Sequence, residues 1–70
     1  MAVDLTPSRH KLKDIDVAMR RGVHRPELVV ACRIEIADLA VLRDTAPPAE
    51  RPAIEAMIAR YEAMVIRLID

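Results

Sequence analysis

PELVVACRIEIADLAVLR, residues Pro26–Arg43, is the stretch whose reading decides the fold. Set on a 3.6-residue helix, it carries two apolar stripes. Leu28, Val29, Cys32, Ile36 and Leu39 make one, and Val30, Ile34, Ala37 and Val41 make a second, nearly opposite. A helix that is apolar on two sides must be covered on two sides. What the remainder of the chain can offer as cover therefore sets the architecture.

Toward the C-terminus, TAPPAER (Thr45–Arg51) ends the central helix, because each proline disfavours helical geometry in the residue before it. A stiff connection of this length joins antiparallel helix neighbours. The next helix can open at Pro48 or Pro52, and it is expected over about 52–69. Within it Ile54, Tyr61 and Leu68 share one heptad position, Met57 and Met64 a second, Ile58 and Val65 a third. That face matches one stripe of the central helix, and the two should form an antiparallel hairpin.

Toward the N-terminus the cover is thinner. Thr6-Pro7 reads as N-cap and first helical residue, and Gly22 as the residue just past the helix end. The helix between them, about 7–21, offers only Leu12, Ile15 and Met19. It is short, basic and marginal alone. The central helix follows at about 26–44, with Pro26 at its start and Glu27 in its first turn.

Size sharpens the shortfall. The chain has 70 residues and is read as one helical domain, 1–70, small for a self-sufficient core. Domains of this size are reinforced by disulfides, metals, very good helix packing or association. With a single cysteine, Cys32, no intrachain disulfide can form, and Cys32, His10 and His24 match no zinc spacing. No cofactor is expected. The fold class is thus all-α: a short basic first helix plus a hairpin of two longer helices, completed by self-association.

Charge divides the chain. Residues 1–25 hold six basic and three acidic side chains, and residues 26–70 hold five and eight, so the halves stand at about +3 and −3. Arg9, Lys13 and Arg20 share a face of the first helix and are candidate contacts for an anion or nucleic acid. Helix, glycine turn, helix also suggests a helix-turn-helix. The second helix of that motif must show polar groups to base edges, and here it is the most apolar in the chain. The longest apolar run, Leu28–Cys32, is far too short for a bilayer, and MAVDLTPSRHK lacks the apolar run of a signal peptide. A reduced cytoplasmic setting without membrane contact is expected. Nine arginines against two lysines and abundant alanine hint at a prokaryotic or phage origin.

Catalytic patterns are sparse. Cys32 lies on an apolar stripe and reads as a small buried hydrophobe rather than a reactive thiol. Glu35 falls among Leu28, Ala31, Leu39 and Leu42 on the wheel, with Asp38 one turn on. No Glu-x-x-His accompanies them as a carboxylate-bridged metal site requires. Glu35 and Asp38 are instead expected to meet Arg60 and Arg67, or a basic residue of another subunit, and so to set register. No phosphate loop, G-x-S-x-G, H-E-x-x-H or C-x-x-C occurs.

The function expected from these residues is non-catalytic. An interaction or structural-assembly protein would present Leu28, Val30, Ile34, Ala37, Val41, Met57, Tyr61, Met64 and Leu68 to itself and to a larger protein partner. A second expectation is a small dimeric regulator that places its basic first helices along nucleic acid. The third is an all-α enzyme with an interfacial site around Glu35.

Overall fold

The computed structural model describes residues 3–70, and among them three α-helices and no strand: α1 Thr6–Arg20, α2 Arg25–Thr45 and α3 Arg51–Ile69, the last preceded by a 3-10 turn at Pro48–Glu50. The fold is all-α, with α2 and α3 packed along their length as a hairpin. Proline stands in the first turn of each α-helix, where a missing N–H costs nothing. Pro48 and Pro52 are both used, one in the 3-10 turn and one in α3.

The start of α1 differs from expectation. Thr6 is the first helical residue rather than the N-cap and its side chain caps no helix N–H; its backbone N–H donates to Asp4 Oδ1 at 2.9 Å. Hydrogen bonds from the Thr6 hydroxyl and then its backbone N–H hold the Asp4 carboxyl below its usual range. Asp, Asn, Ser and Thr compete for such positions, and the acid two residues upstream wins here. The other end is a Schellman motif. Val23 N–H bonds Ala18 C=O at 3.0 Å and Gly22 N–H bonds Met19 C=O at 3.2 Å. Gly22 adopts φ +81°, the left-handed conformation that this closure requires.

The core runs along the hairpin. Ile54, Met57, Ile58, Tyr61, Met64 and Leu68 of α3 are buried against Leu28, Cys32 and Leu39 of α2, and Ala46 closes the turn. The heptad pattern of α3 thus translates directly into its buried face. The chain entering α1 is tied to the turn by Val3 N–H donating to Glu50 Oε1 at 2.6 Å.

The first helix lies across one edge of the hairpin. It contributes Ser8, Leu12 and Ile15, with Met19 only half-buried. It leaves the second stripe of α2 entirely uncovered. The molecule measures 38 × 17 × 14 Å, so any face of α2 that neither α1 nor α3 covers lies open to solvent. Among the described residues no helix is long and apolar enough to cross a membrane.

Candidate functional site

Val30, Ile34, Ala37 and Val41 form the outer face of α2. Val30 and Ile34 are 56% exposed and Val41 is 65% exposed, although isolated aliphatic residues of this size usually bury. Their spacing is four, three, four, the alternation of a heptad repeat, and it holds them in one seam along the helix. Ala37 is exposed in the same row. Arg33 and Asp38 stand exposed on the two flanks, and among the described residues neither makes an ion pair. Glu27 and Asp44 bound the seam at its ends. The face points away from α3, because Leu28, Cys32 and Leu39 occupy the opposite side of the same helix.

Five residues expected at the interface lie elsewhere. Leu28, Met57, Tyr61, Met64 and Leu68 are buried within the chain's own core and present no surface to a partner. The two stripes of α2 therefore separate cleanly: one is used internally, one is not.

The expected charge pairs are also rearranged. Glu35 turns toward α1, where its carboxylate accepts from Ser8 Oγ at 2.8 Å and pairs with Lys11 Nζ at 3.2 Å. Arg67 reaches Asp16 at 3.6 Å, and Asp16 pairs with Arg20 at 3.2 Å. Neither Arg60 nor Arg67 meets Glu35 or Asp38. The reason is the seat of α1: it occupies the edge of the hairpin on which Glu35 and Arg67 both lie, and it supplies the opposite charge to each.

That seat creates a shallow groove between α1 and α3. Arg9, Lys13, Arg60 and Arg67 rim it, Asp16 interrupts them, and Leu12, Ala63 and Met64 form the floor; its volume is about 590 Å³. Arg9 and Lys13, expected on one face of α1, are brought together with two arginines of α3. Arg20 is held by Asp16.

Ser8 and Tyr61 tie α1 down, and the apolar pattern singles out only Tyr61. Ser8 is 8% exposed, and its carbonyl accepts the Tyr61 hydroxyl at 2.5 Å. The available signals were that Ser8 precedes Leu12 by four residues on the same helical face, and that a core tyrosine hydroxyl needs a partner. Burial, the Glu35 carboxylate and Cys32 push the Tyr61 phenol up to about 12, so it donates as the neutral form. Burial likewise raises the Cys32 thiol, which is fully enclosed and unsuited to act as a thiolate. Among the described residues no three His, Cys, Asp or Glu side chains gather as a metal site would require.

Compared with protein-family models, curated proteins and solved structures, the chain has no significant match.

Proposed function

We propose that this chain is a non-catalytic assembly protein that associates with copies of itself through the outer face of α2 and presents the resulting bundle to a larger protein partner. One observation carries the reading: three large aliphatic side chains, each more than half exposed, stand in a single seam on the longest helix. Burying apolar area is worth about 25 cal/mol per Å², and contiguous apolar surface on a small soluble domain marks a docking site. The setting proposed is cytoplasmic, in a prokaryote or phage.

Sedimentation equilibrium tests this. The full chain should self-associate in the micromolar range, and Ile34→Asp should yield a monomer with unchanged helical circular dichroism. A wild-type chain still monomeric at about 100 μM would remove the reading, since that limit corresponds to less than about 5.5 kcal/mol of association.

A second reading draws on the groove, where Arg9, Lys13, Arg60 and Arg67 converge. Such a cluster suits a phosphate backbone. Binding to duplex DNA at low salt, lost on combined Arg9→Ala and Lys13→Ala substitution, would favour it. No retention on DNA at low salt would exclude it.

A further inference from the structure

We infer that the occupant of the α2 seam is a second copy of this chain running parallel and in register, with Arg33 of each copy paired to the partner's Asp38. This deepens the assembly reading and rests on it.

The seam has the layout of a two-stranded coiled coil. Its 4-3-4 spacing places Ile34 and Val41 at a positions and Val30 and Ala37 at d positions. Within a parallel arrangement, β-branched residues at a favour two strands over three or four. The flanks make an independent argument. In that frame Arg33 is a g residue and Asp38 the e residue five positions later. A g residue faces the partner's e residue five positions on in a parallel pair, so the two-fold axis generates one Arg33–Asp38 pair on each side. Five residues apart, the two side chains lie on opposite edges of their own helix and cannot satisfy each other. Both are exposed, and among the described residues neither has an ionic partner.

An antiparallel pair would bury the same apolar residues, Ile34 against the partner's Ala37 and Val30 against the partner's Val41. It would leave Arg33 beside the partner's Ala40 and Asp38 beside the partner's Ala31. The charges are idle there and used in the parallel pair. Charge placement at e and g positions sets partner orientation. Glu27 and Asp44 bring acids together at the ends in either orientation, so the seam is confined to four layers. Because the outer face of α2 points away from α3, a second copy can approach along the whole helix with the core intact.

Charge reversal tests the register by sedimentation equilibrium on the full chain. Arg33→Glu alone and Asp38→Arg alone should each weaken the dimer about tenfold, since like charges meet across both flanks. The doubly reversed chain should return to wild-type affinity. An equimolar mixture of the two single variants should also associate, as heterodimers in which both flanks are complementary. Mild oxidation of Ala37→Cys supplies the geometry. Equal residues face each other in a parallel pair, so Ala37→Cys chains should cross-link to themselves, and the fully buried Cys32 does not compete. A wild-type dimer that ignores both reversals overturns the parallel register and leaves the assembly reading standing. So does a dimer in which Ala37→Cys cross-links to Ile34→Cys in preference to itself. A wild-type monomer overturns both.

Discussion

The neutral phenol of Tyr61 is the residue on which the three helices meet. It is fully buried on α3, donates to the Ser8 carbonyl of α1, and lies close enough to Glu35 of α2 to feel its charge. In the folded chain it ionises at about 12, against an ordinary 10 once unfolded. Below pH 10 both states keep the proton and its contribution is complete. Between pH 10 and 12 the unfolded chain releases a proton that the folded chain retains, so stability falls as pH rises. Urea midpoints measured from about pH 8 to 11.5 should drop with a slope that Tyr61→Phe flattens. At neutral pH the same substitution should cost about 1 kcal/mol, the worth of one hydrogen bond whose acceptor keeps a helical partner. Gly22 permits a second residue-scale prediction. A Cβ there meets nothing within 4 Å, so the cost of Gly22→Ala comes from φ +81° alone. It should lower unfolding free energy by about 1–2 kcal/mol in urea titration.

At the scale of elements, the three helices were legible to different depths. Along α3 the heptad positions Ile54, Met57, Ile58, Tyr61, Met64 and Leu68 are buried and Val65 half-buried, while Ile66 and Ile69, off that pattern, are exposed. Periodicity suffices where a helix has one face to bury. The central helix has two, and periodicity cannot say which is used; that depends on where α1 sits. The position of α1 turns on polar groups, Ser8 against Glu35 and Tyr61, and a hydropathy pattern does not register them. Among the described residues, the pairing of Glu35 and Asp38 with Arg60 and Arg67 expected from the sequence is not made within the chain. Lys11 and Asp16 of α1 take two of them instead. Since α1 adds only two buried aliphatic side chains and these polar ties, it should be the least stable element. Glu35→Ala removes the acceptor of both Ser8 and Lys11. Hydrogen exchange should then accelerate by about tenfold or more across α1 amides, with the α2 and α3 core amides changing less, as expected of local opening costing some 1–3 kcal/mol less.

At the scale of the whole molecule, a hairpin with one small helix at its edge encloses a core on one side of α2 only. A chain of this length has little stability in reserve, and an open aliphatic seam adds nothing to the monomer. Association changes that balance by mass action: whatever binds the folded chain and not the unfolded one raises its apparent stability in proportion to the logarithm of concentration. The thermal midpoint should therefore rise with protein concentration. A hundredfold increase across the dissociation constant should contribute about 1 kcal/mol per chain, a shift of several degrees for a domain this small. Ile34→Asp should abolish the concentration dependence and leave the midpoint at its dilute value, because the substituted side chain is exposed in the monomer and removes no core contact. Cys32→Ala should behave oppositely. It opens a cavity inside the hairpin at a cost of about 1–2 kcal/mol, so the midpoint falls at every concentration with its slope against concentration retained. Calorimetric scans of the three proteins over the same concentration series separate the two faces of α2. A midpoint independent of concentration in the wild-type chain would mean that the seam does not pair.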